Sequence, residues 1–500
     1  MKKNLIASAI ALMGLAATSA HALPPGTAID YTIYVGSGSA QANAHYWAAT
    51  QLLSSVDSYT DSTSCAESGT WRVLTGTTKA AYNDGKGTTI ASGKNVLYIV
   101  RFAGGTFANS IGAVANATTL TYPALSAVNG ATACGGAPHA TYKFASGFAT
   151  TTAIPDFGTS DEEVGLFNTQ LNVPGSYTGT GPSVFHPGTP LSTAATGNLT
   201  QNGLYVNLIG MAVPLSVYNG TSGFAHPKTN FTKAEIAGIL TGNIQNWNQL
   251  FADDGTVMPT QAMVLLDRAP GSGTKAGTSV YFLLNPNAPG GALLPYNESQ
   301  SGGGPIGTVP AGACSSTVPA AFVDFNEGSS TTLFQDLQKM NTNGCLGIGM
   351  LGLEFSPETQ GGGYQFVKIN GADPYARTTS GGHTFATYAN EINGSYDLMY
   401  TNSFNYRTKS INGGGYLGDA SAHSVFINTM QTTLGSASLP GGVSGQFPAG
   451  VTGALLDPAV TGAQGACTAT GTHFGNSFGP LQLFLDATFG ASPACNDQLN

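Results

Sequence analysis

The chain has 500 residues and a formal net charge of −9, from 17 basic and 26 acidic side chains. Charged residues make up 9% of the sequence, far below the ~25% that is usual for globular domains. An acidic chain without basic runs is a poor partner for nucleic acid or an anionic membrane surface, which excludes both classes. The length exceeds what one hydrophobic core supports and predicts two or more domains.

Residues 1–22 have the three parts of a secretory signal peptide. A basic start at Lys2 and Lys3 precedes an apolar run from Leu5 to Ala17, and the Ala-His-Ala sequence at 20–22 supplies a cleavage site. The alternative, a membrane anchor, is disfavoured because the apolar run is shorter than the ~20 residues that span a bilayer. We expect cleavage near Ala22 and a mature chain located in the periplasm or secreted outside the cell.

The cysteine count fits an exported protein. Six cysteines in an oxidising compartment predict three disulfides, and no C-x-x-C spacing indicates zinc or redox chemistry. Pairing neighbours along the chain is one of the allowed connectivities and would close three loop-rich regions. The pairs are then Cys65 with Cys134, Cys314 with Cys345, and Cys467 with Cys495.

Strand, glycine turn and helix follow one another along the first part of the chain. Short β-branched and aromatic runs are typical of strands, and the alanine-rich stretch after the first turn favours a helix. This alternation predicts an α/β fold with parallel strands. The units are a strand at Tyr31–Val35 with a turn at Gly36–Ser39 and a helix at Ala40–Leu53, a strand at Val96–Phe102 with a turn at Gly104–Thr106, and a strand-to-turn segment within Ala153–Phe167.

The second part of the chain continues the same alternation. The clearest helix lies within Asn230–Leu250, where Thr232 and Glu235 form a capping box and Gly242 is placed to end it. Other predicted elements are a buried strand at Gly203–Gly220, a strand at Met263–Asp267, a turn at Arg268–Gly273, a helix at Thr274–Leu284, a helix at Ser330–Met340 and a strand at Cys345–Phe355. Three Gly-, Pro-, Ser- or Ala-rich tracts are interpreted as insertions: Ala115–Thr150, Asn285–Thr317 and Gly435–Asn500.

Two of the glycine turns are candidate anion sites. A turn that leads into a helix presents unpaired N–H groups at the positive end of the helix dipole. The turns Gly36–Ser39 and Gly271–Thr274 also carry hydroxyls, and Arg268 lies four residues before Ser272. The arginine can add a bidentate, charge-assisted contact to an anion. An ordinary loop remains the alternative for each turn taken alone.

Asp161 is the unexpected member of this group. A carboxylate near an anion is repulsive unless the anion carries a proton, as monohydrogen phosphate does and sulfate at neutral pH does not. An ionised Asp161 would therefore select phosphate over sulfate. The alternative is that Asp161 only caps a helix that begins at Glu162.

Enzyme motifs are not found. Ser272 lies outside a G-x-S-x-G elbow, a P-loop sequence is missing, and the turn at Gly36 lacks the third glycine of a dinucleotide fingerprint. The histidines are scattered and predicted to be surface or packing residues, so we expect neither a metal nor another cofactor. Trp71 and Trp247 are predicted to lie in the core; Trp47 is also predicted to pack there, with a place near a cleft as its alternative.

Four segments, in this order, resemble the phosphate-binding proteins of ABC uptake systems. They are "GSGSAQ" at Gly36–Gln41, "DFGTSD" at Asp156–Asp161, "ILTGNIQNWNQL" at Ile239–Leu250 and "RAPGSGT" at Arg268–Thr274. The resemblance covers about Tyr31 to Glu354 and implies a two-lobed type 2 periplasmic-binding-protein fold with a ligand cleft between the lobes. The implied phosphate-binding residues are Ser39, Ala40, Gln41, Thr106, Asp161, Arg268, Ser272, Gly273 and Thr274. Ala40 stands where the family usually has a threonine.

The sequence thus leads to a specific expectation and two rivals. We expect a monomeric, non-enzymatic receptor that captures inorganic phosphate and delivers it to the ABC permease that the resemblance implies. The rivals are a secreted structural or adhesive protein that keeps the fold with weak oxyanion binding, and a secreted phosphatase-like enzyme. The expected domains are a first lobe of residues 23–213 plus 398–500 and a second lobe of residues 214–397.

Overall fold

The computed structural model describes most of the chain between residues 23 and 435. The described residues are 23–61, 65, 70–135, 141–162, 164–168, 172–173, 176–178, 184–186, 188–221, 225–284, 293, 295–296, 321–353, 355, 357, 360–374, 377–380, 383–386, 390, 395–435 and 454–456.

The described residues form strands and helices that alternate along much of the chain. The strands are β1 (Tyr31–Ser37), β2 (Leu53–Thr60), β3 (Trp71–Thr78), β4 (Tyr82–Asn83), β5 (Thr89–Ile90), β6 (Asn95–Arg101), β7 (Leu120–Pro123), β8 (Thr132–Gly135), β9 (Thr141–Lys143), β10 (Thr150–Ala153), β11 (Phe157–Ser160), β12 (Ser176–Thr178), β13 (Val184–His186), β14 (Leu199–Pro214), β15 (Asn230–Phe231), β16 (Val264–Arg268), β17 (Val323–Glu327), β18 (Gly347–Gly352), β19 (Tyr364–Phe366), β20 (Lys368–Ile369), β21 (Arg377–Ser380), β22 (His383–Ala386), β23 (Met399–Arg407) and β24 (Ala454–Leu456). The α-helices are α1 (Ala42–Leu52), α2 (Gly112–Asn116), α3 (Leu125–Asn129), α4 (Thr193–Thr196), α5 (Leu215–Tyr218), α6 (Lys233–Leu240), α7 (Gly273–Leu283), α8 (Ser330–Asn343) and α9 (Ala422–Leu434).

One large mixed sheet organises these elements. Its strand order is β17-β16-β18-β14-β23-β11-β1-β6-β3-β2-β9-β8, with β19 and β24 also paired to β14. Strand β1 runs parallel to β6 and β11, and β16 runs parallel to β17 and β18. Strands β14 and β23 are antiparallel to each other and join the two parallel groups. The predicted α/β fold class is confirmed.

Both faces of each parallel group are buried. In the group around β1, Ile33 and Val35 pack on α1 and α9, whereas Leu97 and Ile99 of β6 belong to a cluster on the opposite face. In the group around β16, Leu265 and Leu266 point into different clusters in the same way. Parallel strands that are covered on both faces have near-continuous apolar sequences, and for this reason these strands could be predicted from the sequence.

One helix agrees with the sequence prediction at both ends, and one strand end differs. The capping box of Thr232 and Glu235 is present, and helix α6 ends at Leu240, before Gly242 with its φ of 71°. The prediction that Gly242 ends this helix is confirmed, and a separate 3₁₀ turn at Trp247–Gln249 follows. Strand β14 ends at Pro214 rather than continuing to Gly220, and helix α5 starts directly after it.

The first predicted insertion is part of the sheet. Within residues 115–150, strands β8 and β9 extend the sheet beyond β2, and β7 pairs with β10. A disulfide between Cys65 and Cys134 fixes β8 to the segment before β3, which confirms that pairing. Cys345 is buried, whereas Cys314, Cys467 and Cys495 lie outside the described residues. The tracts 285–317 and 435–500 also lie almost wholly outside them.

Candidate functional site

The candidate site lies at the carboxyl ends of the parallel strands. Strands β1, β6 and β11 end at one edge of their group, and β16 and β17 end at one edge of theirs. Open α/β sheets bind ligands at this edge because the loops and helix N-termini that follow the strands meet there. Every candidate anion-binding residue predicted from the sequence either ends or follows one of these strands.

The first turn begins where β1 ends. A 3₁₀ turn at Ser39–Gln41 leads into helix α1, and Ser39 and Ala40 are half-buried. Gln41 is buried, and its Nε2 donates a hydrogen bond to Asn402 Oδ1 on β23 at 2.5 Å. The Gln41 side chain therefore fixes the turn to a strand that joins the two parallel groups.

The buried side chain of His45 connects helix α1 to the two strands beside β1. His45 Nε2 lies 2.7 Å from Thr159 Oγ1, which is itself 2.7 Å from Ser37 Oγ. His45 Nδ1 lies 2.7 Å from the hydroxyl of Tyr98. Burial, with a smaller contribution from Arg72, lowers the pKa of His45 to about 3, so the ring is neutral. The prediction of packing histidines holds for His45, but these hydrogen bonds were not foreseen.

Asp161 lies between the residues of both turns. Thr106 Oγ1 donates a hydrogen bond to Asp161 Oδ2 at 3.3 Å. A Cβ atom placed on Gly38 would lie 2.7 Å from Asp161 Oδ1, and one placed on Gly273 would lie 2.8 Å from Asp161 Oδ2. These distances are too short for any side chain larger than hydrogen, so both glycines are required by the approach of the carboxylate.

The carboxylate of Asp161 is only 4% exposed, and this burial controls its charge. Burial raises the pKa of Asp161 to about 6, against the opposing effects of the Arg268 charge and the Thr106 hydrogen bond. Among the described residues, Asp161 Oδ1 has no hydrogen-bond partner. At neutral pH the Asp161 carboxylate is therefore ionised, and its Oδ1 atom can accept a further hydrogen bond.

The cap interpretation of Asp161 is wrong. The short helix that follows is a 3₁₀ turn at Val164–Asn168 and does not begin at Glu162. The hydroxyl of Ser160, rather than the carboxylate of Asp161, accepts a hydrogen bond from the Glu162 backbone N–H at 3.1 Å. The Asp161 side chain is instead directed towards the two glycine turns.

The second turn leads into helix α7. Ser272 is the N-cap residue, and its side chain accepts from the Lys275 backbone N–H. Ser272, Gly273 and Thr274 are all buried. The carbonyl of Gly271 accepts a hydrogen bond from the Phe107 backbone N–H at 3.0 Å. The turn after β16 is thus in direct contact with the turn after β6.

Arg268 is held in place by neutral acceptors. It is the last residue of β16 and 3% exposed, and its Nη1 donates to Ser330 Oγ at 2.7 Å. Its Nε donates to the backbone carbonyl of Glu327 at 3.3 Å. Sequence reasoning missed Ser330 and Glu327. Their only sequence signal was a second hydroxyl-rich turn, Gly-Ser-Ser, between a strand and a helix.

A buried ion pair lies next to Arg268. The ammonium of Lys275 contacts the carboxylate of Asp267, and both side chains are 3% exposed. The Asp267 carboxylate also accepts from the Arg268 backbone N–H at 2.7 Å. This pair carries no net charge, so it leaves the net charge of the site unchanged.

Other predictions concern residues away from the site. Trp47 and Trp247 are buried in the core, and Trp247 Nε1 donates to the carbonyl of Leu346 at 3.1 Å.

Over the described ranges, no group of three or more His, Cys, Asp or Glu residues is arranged to hold a metal ion. In the same ranges, no helix is both long and apolar enough to cross a membrane.

Comparison with solved structures gives distant likenesses. A structure with bound phosphate from Clostridium perfringens, attributed to a phosphate ABC transporter as its substrate-binding protein, is 11% identical, covers 83% of this chain and 98% of its own, and has a TM-score of 0.40. An ABC-type phosphate transport receptor from Vibrio cholerae is 12% identical, covers 81% and 94%, and has a TM-score of 0.37. PstS from Borrelia burgdorferi is 11% identical, covers 83% and 97%, and has a TM-score of 0.33. No protein-family model and no curated protein matches the chain. What this chain binds therefore has to be inferred from its own residues.

Proposed function

We propose that this chain is an exported receptor that captures inorganic phosphate. The observation that carries the proposal is the position of Asp161, whose buried carboxylate lies against Thr106 and Gly38 on one side and Gly273 on the other. Arg268 is close enough to lower the pKa of Asp161. A buried acceptor, a buried guanidinium and two glycine turns in one place are the parts of a protonated-anion site.

The donors around Asp161 suit an oxyanion. Helix α7 presents its N-terminus through Ser272, Gly273 and Thr274, and Arg268 adds a full positive charge. Charge-assisted hydrogen bonds contribute about 1.5–3 kcal/mol each. Several of them supply the ~8 kcal/mol of micromolar binding after ordering costs. Asp161 would then accept the hydrogen bond of a P–O–H group, which sulfate lacks.

The proposal also covers the division of the chain into two lobes and the location of the mature protein. Residues 23–213 with 398–500 would form one lobe and residues 214–397 the other, with the chain crossing between them at the end of β14 and the start of β23. The two turns already meet at Asp161 in the structure, and the closed lobes would hold the anion between them. We propose that the mature chain is a monomer in the periplasm or outside the cell and delivers phosphate to an ABC permease.

Two observations favour a structural role as the second candidate. The Phe107 to Gly271 hydrogen bond joins the two turns directly through backbone atoms. Ala40, which stands where the resembling family usually has a threonine, removes one hydroxyl from the first turn. A secreted structural protein with weak oxyanion binding would combine these two features.

Replacing single arginines by alanine distinguishes the receptor function from the structural role. Arg268→Ala should remove measurable phosphate binding in isothermal titration, because it takes away the charged donor of the site. Arg101→Ala is the matched control: this arginine ends β6, is half-buried, and donates to Asn109 and to the Thr121 carbonyl. Equal phosphate affinity of the two variants would contradict the proposed receptor function.

A further inference from the structure

A chain of buried hydrogen bonds crosses the three strands around the first turn. In the register of β1 and β11, Ser37 is paired with Thr159, and their hydroxyl oxygens lie 2.7 Å apart. Thr159 Oγ1 lies 2.7 Å from His45 Nε2, and His45 Nδ1 lies 2.7 Å from the hydroxyl of Tyr98 on β6. All four side chains are at most 2% exposed. These hydrogen bonds are therefore shielded from competition with water.

The direction of the hydrogen bonds follows from the acceptors around Ser37. Ser37 Oγ lies 2.9 Å from the carbonyl oxygen of Gly38 and 3.0 Å from Gln41 Oε1, and both of these atoms can only accept. The single hydroxyl proton of Ser37 is therefore directed to them, and the Thr159 hydroxyl donates to Ser37. Since Thr159 has then used its own proton, His45 Nε2 carries a proton and donates to Thr159.

The other ring nitrogen of His45 is an acceptor. Both hydrogen-bond partners of the ring are uncharged hydroxyls, and a buried imidazolium in such surroundings is unfavourable. Burial lowers the pKa of His45, and the nearby charge of Arg72 lowers it further. The ring is therefore neutral, and the hydroxyl of Tyr98 donates to Nδ1. Every hydrogen bond then runs in one direction, from Tyr98 towards the Gly38 carbonyl.

This chain of hydrogen bonds ends on the peptide group that opens the first turn. The Gly38 carbonyl accepts from Ser37 Oγ and also from the Gln41 backbone N–H, at 3.3 Å. In a planar trans peptide, fixing this carbonyl also fixes the N–H of Ser39, which points the opposite way. Gly38 is also the residue that lies against the Asp161 carboxylate. The orientation of a candidate anion donor is thus fixed beside Asp161.

We propose that His45 is a positioning residue of the anion site: as the Nε2–H tautomer, it holds Thr159 and Ser37 so that the Ser39 N–H is presented to the bound anion. This inference rests on the phosphate-binding function proposed above. A rotated peptide between Gly38 and Ser39 would present a carbonyl oxygen to the anion, which is repulsive. A turn that is already held in the binding orientation also loses little further freedom when the anion binds.

Isothermal titration with inorganic phosphate tests the contribution of Thr159. Thr159→Val removes the hydroxyl at almost constant volume and should weaken phosphate binding about tenfold, which corresponds to one charge-assisted hydrogen bond. Thr159→Ser keeps a hydroxyl at the same place and should recover most of the affinity. Thr75→Val is the matched control, which should leave the Kd unchanged. Thr75 lies on β3, is also 1% exposed, and its hydroxyl lies 3.4 Å from that of Tyr59.

A double-mutant cycle separates an effect on the turn from a general loss of stability. Ser37→Ala interrupts the same hydrogen bonds one residue nearer to the turn and should also weaken binding about tenfold. The combination of Ser37→Ala with Thr159→Val should weaken binding no further, because either substitution alone releases the turn. If the two losses multiply instead, the hydroxyls act separately and the proposal is overturned.

The tautomer of His45 gives a readout in the wild-type protein. Two-bond proton–nitrogen correlation spectra of protein labelled with ¹⁵N-histidine should show a neutral ring protonated at Nε2, assigned by the signals that His45→Gln loses. A ring protonated at Nδ1, or at both nitrogens, would overturn the proposed direction. Phosphate binding by Thr159→Val at wild-type affinity would overturn the role of His45 and leave the receptor function standing. Absence of phosphate binding by the wild type would overturn both.

Discussion

The Asp161 side chain packs directly on the backbone of Gly273, so closely that a Cβ atom on the glycine would lie 2.6 Å from Asp161 Cβ. These two residues are 112 positions apart and follow β11 and β16 of different parallel groups. Their contact defines the centre of the candidate site. Because of this contact, adding a single methyl group at Gly273 would disturb the site.

Gly273→Ala should impair the site through steric overlap. The added methyl would collide with the Cβ and Cγ atoms of Asp161, which are not the flexible end of a long side chain. We expect a loss of about 1–3 kcal/mol in the free energy of unfolding and a large loss of phosphate affinity. Gly328→Ala is the control, because a Cβ atom there meets nothing within 4 Å. Chemical denaturation and titration of both variants would reveal the difference, and equal stability of the two would contradict the close contact.

Asp161 should make the folded state less stable as the pH rises. Its pKa is raised in the folded protein to about 6 from 3.8, so its stabilising contribution is complete below pH 4 and is lost as the pH rises through 6. Asp161→Asn should therefore gain stability relative to the wild type between pH 4 and pH 7, by up to about 3 kcal/mol. Urea unfolding of both proteins across this range measures the effect. A difference that does not change with pH would show that Asp161 titrates normally.

Selectivity should follow the same titration. At pH 7.5 the wild type should bind phosphate and exclude sulfate, whereas Asp161→Asn should admit sulfate because the repulsive carboxylate is gone. The wild type should itself begin to bind sulfate as the pH falls below about 6 and Asp161 becomes protonated. Competition between the two anions at pH 5 and pH 7.5 tests both statements. Similar sulfate affinity of wild type and variant at pH 7.5 would refute the proposal that Asp161 distinguishes phosphate from sulfate by the proton that phosphate carries.

His45 should stabilise the first turn, with the opposite pH dependence. Replacing it by leucine removes hydrogen bonds to Thr159 and Tyr98 and should cost about 1–3 kcal/mol. Because the folded pKa is lowered to about 3 from 6.5, this contribution is present above pH 6.5 and is lost as the pH falls. His226→Leu, which breaks an exposed pair with Asp254, should have a smaller effect. Thermal unfolding at pH 5 and pH 7.5 distinguishes the two variants.

The sequence predicted those parts of the fold that depend on local chemistry. Strand β16 and helix α7 were found within one residue, because an apolar run and a glycine turn lie next to one another. The capping box at Thr232 was found for the same reason. The end of α6 at Gly242 was also predicted, because a glycine with a positive φ is a common helix stop.

The parts of the site that depend on sheet order were not predicted. Glu327 adjoins Arg268 only because β17 pairs with β16 in parallel, across 59 residues of sequence. His45 reaches Thr159 across 114 residues. Register between distant strands has no local signal in a single sequence. Asp161 could be proposed from the resemblance of its segment, but its contact with Gly273 required the structure.

The most direct test of the proposed function is isothermal titration of the purified mature chain at pH 7.5 with phosphate and, separately, with sulfate and molybdate. Protein shown to be free of carried-over phosphate should bind phosphate with micromolar affinity and give no heat with sulfate. No binding of any of these anions, or equal affinity for phosphate and sulfate, would contradict the proposal that Asp161 and Arg268 form a phosphate site.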